Sequence, residues 1–141
     1  MRPTWDDIFV EIAKTISKRS TCNRAQVGAV LTVENRILAT GYNGSIKGDD
    51  HCTDVGCLIE NGHCIRTVHA EMNTIANAAI EEVSTRDTTL YCTHFPCARC
   101  MPLLIQSGVK EVVYVNDYGN HEWVDDLIQK AHIKVRKYGD R

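Results

Sequence analysis

The sequence carries little net charge and has no apolar run long enough to span a membrane. Its 141 residues have a formal net charge of −2, whereas proteins that bind nucleic acid usually present a basic surface. Residues 1–7 lack the apolar stretch of a signal peptide, and the chain contains no repeat, linker or low-complexity segment. We therefore expect one cytoplasmic domain over residues 1–141 that binds neither nucleic acid nor a membrane.

Seven cysteines without a secretory signal indicate reduced thiols and metal binding rather than disulfides. Two motifs contain side chains that can bind a metal ion or transfer protons: His69-Ala70-Glu71 and Pro96-Cys97-Ala98-Arg99-Cys100. An imidazole and two thiolates suit a tetrahedral zinc ion whose fourth position is left for water. Glu71 is not needed as a ligand and is placed to carry protons. A lone C-x-x-C also fits a redox pair or half of a structural zinc site, so the catalytic prediction depends on both motifs.

Apolar periodicity predicts a hairpin followed by alternating helices and strands. The class is α/β, a five-stranded mixed sheet with helices on both faces. The predicted strands are residues 26–33, 36–42, 87–93, 110–115 and 133–137, and the predicted helices begin at Thr4 and cover 70–80, 98–106 and 121–131. The residues expected to point inward are Trp5, Ile8, Phe9, Ile12, Ala13 and Ile16 in the first helix and Trp123, Leu127 and Ile128 in the last.

Residues 43–68 show no clear periodicity of apolar residues. A stretch of that length without secondary structure is unusual in a compact domain unless it has a function or is held by a cross-link such as a metal ion. Four cysteines lie in or near it, and a closed structural zinc site would supply the missing core. The predicted ligands are Cys22, Cys52, Cys57 and Cys64, with His63 as a possible substitute. Free buried thiols are the alternative. Cys92 is expected to be a small buried hydrophobe on a strand.

Besides the His69–Glu71 and Pro96–Cys100 motifs, the sequence contains Arg19-Ser20-Thr21-Cys22, Gly41-Tyr42-Asn43-Gly44 and His63-Cys64-Ile65-Arg66. With them, the chain resembles the deoxycytidylate (dCMP) deaminases, particularly the phage and bacterial late-competence-type members. The resemblance implies a three-layer α/β/α cytidine-deaminase-like fold and zinc-dependent hydrolysis of dCMP to dUMP and ammonia, which feeds dTMP synthesis. It also implies a homohexamer that dCTP activates and dTTP inhibits with Mg²⁺. Tyr42, Asn43 and Gly44 would form part of the effector site, although a plain turn fits the two glycines equally well.

The resemblance also suggests substrate contacts. Asn43 would bind the sugar hydroxyl, although a turn residue is the simpler interpretation of this residue taken alone. The backbone N–H of Ala70 would hold the base carbonyl. Arg24 and Lys47 flank the Asn43 region and are candidates for the phosphate, with solvated surface charges as the alternative. Phe95 would line the base pocket or pack in the core.

Other functions share parts of this pattern. A tRNA adenosine deaminase has the same two motifs but needs a basic surface for RNA. A bifunctional dCMP/dCTP deaminase would use the same site. The deaminase half of a riboflavin enzyme would be joined to a reductase domain. A silent zinc-binding module is the non-enzymatic alternative, and it gives Glu71 no role.

Overall fold

The computed structural model describes residues 1–61, 63–117 and 122–140, and of His63 the backbone only. His121, where the last helix was predicted to begin, lies outside these residues. The elements in chain order are α1 (Trp5–Ser17), β1 (Gly28–Val33), β2 (Arg36–Tyr42), β3 (Gly44–Ser45), α2 (Cys52–Val55), β4 (Ile59–Glu60), β5 (His63–Cys64), β6 (Thr67–Val68), α3 (Ala70–Ile80), β7 (Thr88–His94), α4 (Cys100–Gln106), β8 (Val109–Asn116), α5 (Glu122–Ala131) and β9 (Lys134–Lys137).

Five strands form the central sheet in the order β2-β1-β7-β8-β9. β1 pairs antiparallel with both β2 and β7, and β8 pairs parallel with both β7 and β9. The β1–β2 turn places Glu34 and Asn35 at φ 48° and 61°, as a two-residue turn with both central residues at positive φ requires. The predicted hairpin and five-stranded mixed sheet are confirmed.

Helices cover both faces of the sheet because side chains alternate along each strand. One face packs against α1, through a cluster comprising Phe9, Val10, Ala13, Val30, Tyr91 and Val113. The opposite face packs against α3 and α4, through a larger cluster that includes Ala29, Leu31, Ala70, Ala78, Leu90, Leu104 and Val112. The three-layer α/β/α architecture is therefore confirmed.

Three residues that were predicted to point inward are exposed. Trp5 and Ile8 in α1 are 55% and 38% exposed, and Val10 is buried in their place. Trp123 in α5 is 55% exposed, whereas the adjacent Val124 is 1% exposed. Successive residues on a helix are about 100° apart, so a small rotation of the helix moves a neighbouring side chain into the core.

The segment 43–68 contains short regular pieces that the sequence pattern did not predict. β3 pairs with β6 and β4 pairs with β5, both antiparallel, and the short helix α2 begins at Cys52. Two-residue strands bury too little to specify themselves, which explains the lack of a readable period. Within the described part of the chain, no helix combines the length and apolar character needed to cross a membrane.

Asp6 joins α1 to the sheet. Arg136 on β9 donates to its two carboxylate oxygens at 2.6 and 3.0 Å, and the Tyr91 hydroxyl on β7 donates at 2.7 Å. The guanidinium of Arg136 lowers the pKa of Asp6 below its ordinary 3.8, despite the opposing effect of burial.

Candidate active site

The two sequence motifs lie where α3 and α4 begin. His69 is the N-cap residue of α3, with extended backbone angles of φ −66° and ψ 150°. α4 begins at Cys100, two residues later than predicted, although the Cys97 carbonyl already accepts from the N–H groups of Cys100 and Met101 at 3.1 and 3.0 Å. The chain therefore makes its first helical turn between the two cysteines, as the C-x-x-C spacing requires.

His69, Cys97 and Cys100 converge with the geometry of metal ligands. Nδ1 of His69 lies 3.4 Å from Sγ of Cys97 and 3.3 Å from Sγ of Cys100. For Zn–N and Zn–S bonds of about 2.1 and 2.3 Å at a tetrahedral angle, the ligand nitrogen and sulfur lie about 3.5 Å apart. The three side chains therefore fit a zinc ion, and three protein ligands leave one position open.

The electrostatics of this triad favour a thiolate. The Cys100 thiol, and after it His69, lower the pKa of Cys97 to about 3 against the opposing effect of burial. The Cys97 neighbour and burial raise the pKa of Cys100. Cys97 in turn raises the pKa of His69. A site that already holds negative charge on sulfur suits a divalent cation.

Glu71 is buried beside the triad. It is 5% exposed, and burial raises the pKa of its carboxyl above the ordinary 4.5. The Cys100 thiol is a hydrogen-bond partner of the carboxyl. A buried carboxyl beside a metal triad is the kind of group that serves as a general acid–base catalyst.

His69, Glu71 and Cys97 line a cavity of about 390 Å³, and Cys100 lies fully buried behind it. This volume is within the usual range for small-molecule sites. Its wall is formed by the segments that flank the β1–β2 hairpin, by part of the segment 43–68 and by the two motif segments. It is lined by Cys22, Arg24, Ala25, Val27, Asn43, Cys64, Thr67, His69, Ala70, Glu71, His94, Phe95, Cys97, Ala98 and Arg99.

Most of the predicted substrate residues are at this cavity. Ala70, Arg24, Asn43 and Phe95 all line it, whereas Lys47 lies exposed on the surface. The Asn43 carboxamide is held in place, because its oxygen accepts from the Val27 N–H and its nitrogen donates to the Ala25 carbonyl, each at 2.8 Å. Both bonds orient Asn43 at the cavity wall.

Of the three predicted effector residues, Asn43 lines the cavity, and Tyr42 and Gly44 are its neighbours in the chain. The Tyr42 carbonyl accepts from the side chain of Asn73 at 2.8 Å. Gly44 is buried, and a Cβ there would lie 2.9 Å from Oγ1 of Thr21. A side chain at position 44 would therefore require the Thr21 hydroxyl to move.

A second group of potential metal ligands comprises Cys52, Cys57 and Cys64, whose sulfurs lie within 4.8 Å of one another. The sulfurs of Cys52 and Cys64 are 3.6 Å apart, close to the roughly 3.8 Å between two tetrahedral zinc-bound sulfurs. Burial and the two neighbouring thiols raise the pKa of Cys57 to about 11. Burial also raises the pKa of Cys64, but hydrogen bonds, first from Thr67, outweigh it and lower that pKa to about 6.

The remaining predicted ligands are placed differently. Among the described residues, Cys22 is not in the three-cysteine group. Cys22 is buried in the cavity wall, and its sulfur accepts from the Arg24 N–H at 3.4 Å. The side chain of His63 lies outside the described part of the structure. Cys92 is fully buried on β7, as predicted.

Thr67 was not predicted and lies between the three-cysteine group and the cavity. Its hydroxyl lies 3.4 Å from the sulfurs of both Cys52 and Cys64, and the residue also lines the cavity. No pattern in the sequence identifies Thr67.

Asn73 was also not predicted, although the sequence contains an indication of its role. Asparagine is unfavourable inside helices, and the sequence places two of them four residues apart in α3.

A histidine–cysteine metal triad next to a buried carboxyl, at the start of two helices, defines a zinc-dependent hydrolytic site. The family model described as the cytidine and deoxycytidylate deaminase zinc-binding region matches residues 3–116. The chain therefore belongs to the cytidine and deoxycytidylate deaminase family.

Curated relatives and solved structures agree with this membership. ComE operon protein 2 of Bacillus subtilis is 41% identical over 136 residues, which cover 96% of this chain and 72% of the relative. Deoxycytidylate deaminase of Schizosaccharomyces pombe is 39% identical over 97% of this chain, but this chain spans only 45% of the yeast protein. The crystal structure of dCMP deaminase from cyanophage S-TIM5 with dCMP and dUMP has a TM-score of 0.83 and 33% identity, over 97% of this chain and 98% of that one.

Proposed function

We propose that this protein hydrolyses dCMP to dUMP and ammonia and so feeds dTMP synthesis. The observation that carries the proposal is the juxtaposition of the His69–Cys97–Cys100 triad with the buried Glu71 at a cavity of about 390 Å³. Similar proteins are deoxycytidylate deaminases, and the structure of one of them was solved in complex with dCMP and dUMP; both findings support this substrate.

In this proposal the protein side chains hold the reactants and move protons. A zinc ion on His69, Cys97 and Cys100 supplies Lewis acidity, which makes water nucleophilic near neutral pH. Glu71 takes a proton from the attacking water as the C4–O bond forms. It gives this proton to ring nitrogen N3. It then takes the proton of the new C4 hydroxyl and gives it to the amino group, which leaves as ammonia when the C4–N bond breaks and the C4=O bond forms. The raised pKa of Glu71 suits these repeated transfers.

The cavity wall suggests how the nucleotide is oriented. Asn43 is held by Ala25 and Val27 and would bind the sugar hydroxyl. The Ala70 N–H would hold the base carbonyl, and Phe95, whose ring stands edge-on to Tyr114 with centroids 4.9 Å apart, would contact the base. Arg24 at the wall is a better candidate for the phosphate than the exposed Lys47.

We further propose that Cys52, Cys57 and Cys64 hold a second, structural zinc ion. Their sulfur spacing fits zinc. The fourth ligand would come from His63, from Cys22 after a local shift, or from water.

The seven cysteines are all free, which is consistent with a reducing compartment such as the cytoplasm.

Regulation is proposed on the resemblance to the dCMP deaminases. A homohexamer activated by dCTP and inhibited by dTTP with Mg²⁺ would use the segment Tyr42–Gly44. This segment is directly connected to α3, because Asn73 binds the Tyr42 carbonyl. A shift of the segment would therefore reach the helix that contains Glu71.

An absorbance assay with dCMP, dCTP, cytidine and adenosine tests the function. We expect turnover of dCMP, with loss of activity on chelation of zinc and a change of rate when dCTP or dTTP is added. Turnover of dCTP at the dCMP rate would favour the bifunctional enzyme. If none of these substrates releases ammonia, the enzymatic proposal is wrong.

A further inference from the structure

Two asparagine side chains attach α3 to β2, the edge strand of the sheet. Nδ2 of Asn73 donates to the Tyr42 carbonyl at 2.8 Å, and Nδ2 of Asn77 donates to the Thr40 carbonyl at 2.7 Å. Between these two carbonyls lies Gly41. A Cβ on Gly41 would lie 2.4 Å from the Thr74 hydroxyl oxygen and 2.6 Å from the Ala70 carbonyl oxygen, so the helix rests directly on the strand backbone.

The spacing of this attachment is determined by backbone geometry. Four residues along a helix span about 6 Å, and two residues along a strand span about 6.6 Å. Asparagines four apart therefore reach carbonyls two apart without distortion. Because both ends are fixed, α3 cannot slide along β2 without breaking a hydrogen bond.

Asn73 also fixes the backbone on both sides of His69. Its side chain donates to the Val68 carbonyl at 3.4 Å in addition to Tyr42. Its backbone N–H donates to the His69 carbonyl at 2.9 Å, as any residue at this helix position would, so the side-chain bonds alone distinguish Asn73. Asn77 makes a similar contact with β2, but one helical turn further from the triad. The two residues thus share a docking role, and only Asn73 holds the histidine.

We propose that Asn73 is a positioning residue that sets the imidazole of His69 and the carboxyl of Glu71 against Cys97 and Cys100. The inference deepens the proposed function, since its kinetic part assumes that dCMP is the substrate. Its metal-binding part concerns the triad alone and does not depend on the substrate.

The experiment compares Asn73→Ala and Asn73→Asp with Asn77→Ala in the full-length, zinc-loaded protein. Aspartate has the shape of asparagine but no N–H to give to the carbonyls of Tyr42 and Val68. Zinc affinity is measured by competition with a chelator. The part of the titration curve that reports the triad is the part that disappears in Cys97→Ser. kcat and KM for dCMP and the unfolding midpoint in urea are measured in parallel.

We expect both Asn73 variants to bind zinc at the triad about tenfold or more weakly, as is usual when a group that orients a metal ligand is lost. Their kcat should fall by a similar factor, with a smaller change in KM. Asn77→Ala should lower the unfolding midpoint comparably and leave both zinc affinity and kcat within about twofold of the parent, since the histidine keeps its supports.

Equal zinc affinities in the Asn73 and Asn77 variants would overturn the inference, because both asparagines would then be mere docking contacts. Wild-type behaviour of Asn73→Asp would also overturn it, since hydrogen-bond donation would be irrelevant. If Asn73→Ala fails to fold, Asn73→Asp decides by the same measurements. If the parent protein does not turn over dCMP but the zinc affinities differ as expected, the proposed function fails and the positioning role stands.

Discussion

Replacing Glu71 with glutamine separates the proton-carrying role of this residue from its contribution to packing. Glutamine has nearly the same shape, so it fits a side chain that is 5% exposed without creating a cavity. It cannot accept and return a proton. Removal of a general acid–base catalyst costs about 10²–10⁴-fold in rate, or about 2.7–5.5 kcal/mol in activation free energy. We expect kcat for dCMP to fall within this range while zinc remains bound.

The same substitution should have the opposite effect on stability. Burial raises the pKa of Glu71 above its ordinary value of 4.5, so the folded state binds more protons than the unfolded state above that pH. The free energy of unfolding of the parent must then fall as pH rises from 4.5 through the folded-state pKa. After chelation of zinc, Glu71→Gln should therefore be the more stable protein at pH 7, and the difference should shrink towards pH 4.5.

The assays are steady-state kinetics with dCMP, metal analysis, and urea unfolding at several pH values. Glu81→Gln is the matched control, because Glu81 is exposed at the C-cap of the same helix, and we expect no change in rate. A zinc-loaded Glu71→Gln protein with a kcat within about tenfold of the parent would refute the assigned role, since proton transfer would then be supplied elsewhere.

Three further changes probe other parts of the structure. Gly41→Ala puts a Cβ 2.4 Å from Oγ1 of Thr74, and urea unfolding should report a loss of about 1–3 kcal/mol from overpacking; an unchanged midpoint would mean that α3 can lift off β2 freely. Cys57→Ser should reduce the zinc content by about one ion per chain, because a three-thiolate site loses a ligand, and unchanged metal analysis would remove the second site. Asp6→Asn should lower the free energy of unfolding at pH 7 by about 1 kcal/mol, after allowance for solvent screening of its ion pair with Arg136. Because the pKa of Asp6 is lowered, its stabilisation exists above pH 3.8 and is lost as pH falls through the folded-state value; a difference that persists in acid would contradict this explanation.

The sequence predicted those features that depend on local pattern. α3 runs from Ala70 to Ile80 and β2 from Arg36 to Tyr42 as expected, because clear periodicity is bounded by a cap or a turn in both. The triad His69, Cys97 and Cys100 was also predictable, since the chemistry of zinc restricts which residues can serve and the flanking elements bring them together.

Features that depend on tertiary packing were not predictable. Trp123 was placed inward because it is large and apolar, but the rotation of α5 on the sheet buries Val124 instead. Cys22 was grouped with the other cysteines because it is a possible ligand; in the structure it lines the cavity with Cys64 but is not in the three-cysteine group, and its role as a ligand stays a prediction. The contacts of Thr67 with two sulfurs arise from the path of residues 43–68, which two-residue strands determine only collectively.

The docking of α3 also affects how the protein can associate with other molecules. The outer edge of a sheet ordinarily offers its backbone to a strand from another chain. At β2, the carbonyls of Thr40 and Tyr42 are already bound by asparagine amides. A strand from another chain would have to displace both amides before it could pair with these two carbonyls. Edge-to-edge association at this part of β2 is therefore disfavoured.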